Sequence, residues 1–181
     1  MNPVTEERVR IAREFGLHNV EHAALACRSA DPPLPFWAAC ALLEKESGGR
    51  NVYGHDAGGA LAGFPRQVNR GNWEVFRWLV IDKGHTSNGV GPCQITYAGP
   101  AKGGRRDGGF FAIMEQRQLR PWIPLDNMIF GFGLLAAHKK RHGTWARAGE
   151  AYNGSPAYGA DLVKKANEWR ARLKIKGGPV S

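Results

Sequence analysis

The run Phe36 to Leu43, reading FWAACALL, is apolar on every side of a helix, and it constrains the fold more than any other segment. A surface helix carries one apolar stripe, whereas a helix apolar all round must be enclosed by other elements. Asp31, Pro32, Pro33 and Pro35 give it a rigid lead-in, and Gly48 and Gly49 stop it. A central buried helix is therefore predicted over residues 36–46. At 181 residues the chain is long enough to wrap such a helix in one core without disulfide staples, so one domain spanning 1–181 is expected. The 43% hydrophobic and 23% charged residues exclude global disorder.

The rest of the chain offers the enclosing helices. Thr5 to about Phe15 reads as a helix with Val9, Ile11, Ala12 and Phe15 as apolar positions, part of an N-terminal brace over residues 1–30. Helical patterning returns from Asn127 to His142, where Lys139, Lys140, Arg141 and His142 suit the negative end of a helix. A short helix from Thr144 to Ala151 and a last one from Pro156 to about Leu173 flank a turn at Asn153 and Gly154. Residues 54–109, rich in Gly, Asn, Asp and Arg, read as loops with a small hairpin. A long irregular stretch in a compact domain is more often functional than idle. The expected class is α-rich (α+β).

Glu46 falls in the last turn of the central helix. Poor solvation beside apolar neighbours and the partial negative charge of a helix C-terminus both raise a carboxyl pKa, which suits a proton donor. Glu44 cannot share that position, since residues two apart on a helix point about 200° apart. On local sequence alone, both remain readable as solvated carboxylates at a helix end.

Glu46 and Ser47, then Gly89 to Ile95 (GVGPCQI), then Asn127 with Gly131, then Ala151 to Gly154 (AYNG), form an ordered series that resembles the motifs of the lysozyme-like superfamily. Within it the series is most similar to the soluble lytic transglycosylase and goose-type lysozyme group, especially catalytic domains of phage endolysins. The likeness covers about residues 36–170. It implies a lysozyme-like helical fold with a loop-rich insertion, and cleavage of peptidoglycan glycan strands with Glu46 as the catalytic acid. It implies further that Gln94 lines the sugar cleft and that Tyr152 and Asn153 contact substrate or orient the acid. Ser47, His55 and Tyr97 complete the candidate substrate-binding set. The chain departs from the pattern in carrying Pro92 and Cys93 where Leu and Met are usual, and in a longer spacing from Glu46 to Gln94. Gln94 also reads as a loop-capping amide, and Tyr152 as a core residue with its hydroxyl at the surface.

A hydrolase normally adds a second carboxylate, whereas a lytic transglycosylase uses one acid and lets the sugar's own hydroxyl attack. Asp56 in YGHDAGG is the preferred candidate, with Asp82 and Asp107 as alternatives. Capping a turn is the other reading of Asp56, and His55 reads equally as an exposed loop histidine.

The net charge of +9 and a pI near 9.8 favour an anionic partner, whether nucleic acid, membrane surface or wall polymer. The resemblance selects bacterial peptidoglycan, with no nucleic acid, no stable membrane association, no cofactor or metal, and a monomer. The dense run at Lys164, Lys165, Arg170, Arg172, Lys174 and Lys176 reads as the solvated face of a terminal helix. Charged residues Glu6 to Glu14 stand where a secretory signal would be apolar, so synthesis as a cytosolic chain is expected, and the resemblance implies a host cytoplasm and action on the cell wall. Three cysteines, an odd count without metal-site spacing, leave at least one free thiol. Two rival readings stand beside this one. His18, Glu21 and His22 spell the H-x-x-E-H pattern of a zinc peptidase, and six tryptophans with a basic surface would suit a non-catalytic binding module.

Overall fold

The computed structural model describes residues 4–55, 59–61, 66–97 and 108–180. Helix α1 spans Glu6–Glu14, with the Thr5 side chain accepting the Arg8 amide at its start. Helix α2 spans Val20–Ser29 and α3 spans Phe36–Glu46. The next are α4 over Arg70–Arg77, continued by a π-helical turn at Trp78–Asp82, and α5 over Gly109–Gln116. The last three are α6 over Pro124–His142, α7 over Trp145–Asn153 and α8 over Pro156–Arg172.

The all-round apolar run behaves as its composition demands. Ala39, Cys40, Ala41, Leu42 and Leu43 have no solvent exposure, and α3 lies against α2 and α8. Helix α6 packs on α2 and α7, and α7 packs on α8. That last pair crosses closely because Gly159 faces Gly149: a Cβ on Gly159 would stand 2.1 Å from the Ala146 carbonyl oxygen. A single hydrophobic cluster joins buried residues from Ile11 to Leu173, including Trp73, Trp145 and Trp169. Cys27, Cys40 and Cys93 are buried free thiols. No described helix is long and apolar enough to cross a membrane.

Two expectations need correction. The stretch 54–109 is not only loop, because α4 and its π-helical extension lie inside it. Asn69 and Asn72 cap each other's backbone at the start of α4, and Trp73, Phe76 and Val80 then turn inward at helical spacing. Nor does a hairpin form among the described residues, which hold no strand but only isolated bridges such as Val52 to Gln67, Tyr53 to Val90 and Val90 to Ile95. The glycines there favour single tight pairings over a ladder.

Candidate active site

The central helix delivers two carboxylates to two different environments. Glu44 faces α8, where it accepts from Lys165 Nζ (2.8 Å), Trp169 Nε1 (2.6 Å) and Arg172 (3.2 Å). Burial pushes its pKa up, but the hydrogen bonds from Lys165 and Trp169 and the two cations outweigh this, and the net shift is downward. Glu44 is thus held as a carboxylate. Glu46, two residues on, accepts at Oε1 from the hydroxyl of Tyr158 on α8.

Tyr158 is itself held on two sides. Lys45 Nζ lies over its ring at 4.2 Å from the centroid and makes an ion pair with Asp161. The ring of Tyr152 stacks beside it, with centroids 6.4 Å apart and planes 19° apart. Burial pushes both phenols well above their ordinary pKa, and the charge of Glu46 pushes the same way. Both hydroxyls therefore remain donors at any pH near neutral.

Beside Glu46 stands the glycine-rich segment, folded into a tight turn in which Val90 and Ile95 exchange both amide hydrogen bonds at 3.0 Å. Each side of the turn is pinned. Ser47 Oγ donates to the Pro92 carbonyl (2.9 Å), and Tyr152 donates to the Cys93 carbonyl (2.8 Å). The buried Asn127 accepts from the Cys93 amide (3.0 Å) and donates to the Val90 carbonyl (2.9 Å). The Gln94 amide donates to Val52 (3.0 Å) and Gly91 (2.8 Å) carbonyls from a left-handed backbone, φ 48°. Gly131 on α6 permits the approach, since a Cβ there would lie 2.5 Å from Cys93 Cβ. Burial and the nearby Glu46 raise the Cys93 thiol well above its usual pKa, so it is no thiolate nucleophile.

The structure thus gathers Glu46, Ser47, the turn bearing Gln94, and Tyr152 into one cluster. Ser47, Gln94 and Tyr152 spend the hydrogen bonds named above on bracing the turn. His55 is exposed, with Nδ1 facing Arg66 at 2.8 Å, and the Tyr97 amide donates to Ser87 Oγ at 3.0 Å. Asn153 ends α7 in an exposed position, and Asp82 is exposed at the end of the π-helical turn. Asp56 and Asp107 lie outside the described residues.

Sequence reasoning missed Tyr158, Lys45 and Asp161. For Tyr158 a signal was available in the order Tyr152, Pro156, Tyr158: a proline-started helix immediately after the AYNG turn brings a second phenol back toward the first. The zinc pattern does not hold its geometry, because His18 precedes α2 and is separated from it by Asn19 in a left-handed conformation, φ 52°. Glu21 pairs with Arg13, and no cluster of three metal-ligating side chains occurs among the described residues. The basic run near the C-terminus is only partly solvated, since Lys165 and Arg172 hold Glu44.

Compared with protein-family models, with curated proteins and with solved structures, the chain matches none.

Proposed function

We propose that this protein cleaves the glycan strands of bacterial peptidoglycan, between N-acetylmuramic acid and N-acetylglucosamine, with Glu46 as general acid. The observation that carries the reading is the setting of Glu46: a carboxyl at the end of a buried helix, held at Oε1 by Tyr158 and flanked by the pinned 89–95 turn. The Tyr158 hydroxyl on Oε1 fixes how the carboxyl is presented for transfer of its proton. Protonation of the glycosidic oxygen by Glu46 would release the leaving sugar as its bond breaks. The order of the motifs supports a lysozyme-like domain, acting as the catalytic part of a phage endolysin that reaches the wall from the host cytoplasm. Substrate binding by Gln94, Tyr97, Tyr152, Asn153, Ser47 and His55, a monomeric state and independence of any cofactor belong to the same reading.

Hydrolysis, with Asp56 activating water, is the preferred outcome, and lytic transglycosylation with Glu46 alone is the second reading. The pinning of the turn by side chains that carry no charge, Ser47, Asn127 and Tyr152, suits either.

The test is release of soluble fragments from purified peptidoglycan, with products identified by mass spectrometry. Glu46→Gln keeps the shape and cannot donate the proton, so turnover should fall on the order of 10²-fold or more while circular dichroism is unchanged. Glu44→Gln should retain cleavage at neutral pH. Equal losses in both variants, or lysis retained by the Glu46 variant, would refute the assignment. Reducing muramic acid ends with an Asp56→Asn variant slowed on the order of 10²-fold would support hydrolysis. Products with 1,6-anhydro ends and an active Asp56→Asn variant would replace it with transglycosylation.

A further inference from the structure

The last two turns of α6 carry His138 and His142 on one face, four residues apart. Their rings face each other with centroids 5.9 Å apart and planes 27° apart. Two histidines at this spacing on a helix are the arrangement by which a helix holds a metal ion with a pair of imidazole nitrogens. We propose that His138 and His142 form a two-imidazole chelate for a late first-row divalent transition metal ion, Cu2+ binding most strongly.

The two rings already lie side by side on one helix face. With one nitrogen of each ring about 2.0–2.1 Å from a shared metal, ring centroids stand roughly 4.5–5 Å apart, so closing from the observed 5.9 Å takes about 1–1.5 Å. His142 is exposed and can supply that movement by rotating its side chain. Burial, with smaller contributions from His142 and Arg141, holds the pKa of His138 below the ordinary histidine value. Its ring is therefore neutral at pH 7, as a ligand must be.

The nearby cations do not close the site to a metal. Lys139 is turned away, its ammonium donating to the Gly143 carbonyl and lying 5.6 Å from the Trp145 ring centroid. Lys140 and Arg141 are exposed, where salt screens them, and the partial negative charge of the α6 C-terminus acts in the opposite sense. Among the described residues no third protein ligand joins the pair. Water completes the coordination sphere, and the site exchanges its metal readily. Imidazole ligands and the order of divalent affinities place Cu2+ first, with Ni2+ and Zn2+ weaker.

This site is separate from the candidate active site. Gly131, which receives the 89–95 turn, lies seven residues before His138, about 10 Å along the helix axis. It is separate also from the H-x-x-E-H pattern, whose first histidine lies outside any helix. Spacing alone gives the two histidine pairs equal weight, and only the α6 pair is stacked on a helix face.

The test is titration of the full chain with Cu2+ alone, followed by calorimetry and by the nitrogen hyperfine structure of the copper EPR spectrum. One equivalent should bind with two nitrogen ligands. His142→Ala, at an exposed position, should weaken binding about tenfold or more through loss of the chelate, and His138→Ala should match it. His22→Ala should bind as the wild type does. Wild-type affinity in His142→Ala, loss of binding in His22→Ala, or no nitrogen-coordinated copper in the wild type would each overturn the proposal.

Discussion

Tyr158 bears directly on the Glu46 carboxyl, because its hydroxyl donates to Oε1 and fixes the group's orientation. A carboxyl at a helix end has rotational freedom that proton transfer does not tolerate, and one fixed donor removes it. Tyr158→Phe keeps the ring under Lys45 and beside Tyr152 while deleting only the oxygen. Turnover of a soluble glycan should then fall about tenfold with KM little changed, since orientation of the acid matters in the transition state and not in binding. Steady-state kinetics check this, and a changed KM with unchanged kcat would make Tyr158 a binding residue instead. At this scale the sequence is readable only in part. Glu46 stands out because a helix apolar through Leu43 ends on it, and Ser47 because it follows. The two further residues of the clamp on Tyr158, Lys45 and Asp161, lie 116 positions apart and meet only because α3 and α8 pack together. No local pattern encodes such a meeting.

Glu44 joins two elements, since three donors on α8 and its end converge on one carboxylate of α3. A group whose folded pKa lies below its unfolded value contributes stability above the unfolded value and loses it as pH falls through the folded one. Glu44 has this sign, so its contribution should be present at pH 7 and fade below the ordinary carboxylate value of 4.5. Lys165, raised mainly by its hydrogen bond to Glu44, has the opposite sense and loses its share only as pH rises past the ordinary lysine value of 10.5. Glu44→Gln should therefore lower stability at pH 7 by about 1 kcal/mol, the side chain being partly solvated, and by much less at pH 3. Thermal melts of both proteins at the two pH values measure the difference. An equal loss at pH 3 and pH 7 would show that shape, not charge, joins α3 to α8.

The same pair of helices shows what was legible among the elements. Their ends were marked in the sequence by Pro35, Gly48 and Pro156, and by apolar spacing, and α3 spans the predicted residues. Helices α1, α6 and α7 differ from prediction by three residues or fewer at either end. Helix α4 was hidden because its mutual Asn69 and Asn72 cap lacks the usual Glu or Gln, and its eight residues sit among glycines and asparagines. Among the described residues the pairings stay isolated, and Val90 meets Tyr53 through a contact distant in sequence that only the tertiary fold supplies.

At the scale of the whole molecule, the charge of +9 is the property that no single element explains. Some of the cations are paired, Lys45 with Asp161 and both Lys165 and Arg172 with Glu44, and so add little to the surplus. Other cations remain at the surface, among them Lys140 and Arg141 at the end of α6 and Lys164 on α8. Such charges act over the distance that salt permits, about 10 Å at 0.1 M. If they serve to bring a wall-cleaving protein to an anionic cell surface, lysis of intact cells should fall steeply as salt rises above 0.1 M, whereas cleavage of a short neutral glycan should change little. The comparison uses one protein preparation, two substrates and a salt series, with initial rates as the readout. Parallel salt responses would assign the effect to the folded protein or its site. A response confined to intact cells assigns it to encounter, because a neutral fragment offers the surface charge nothing to attract.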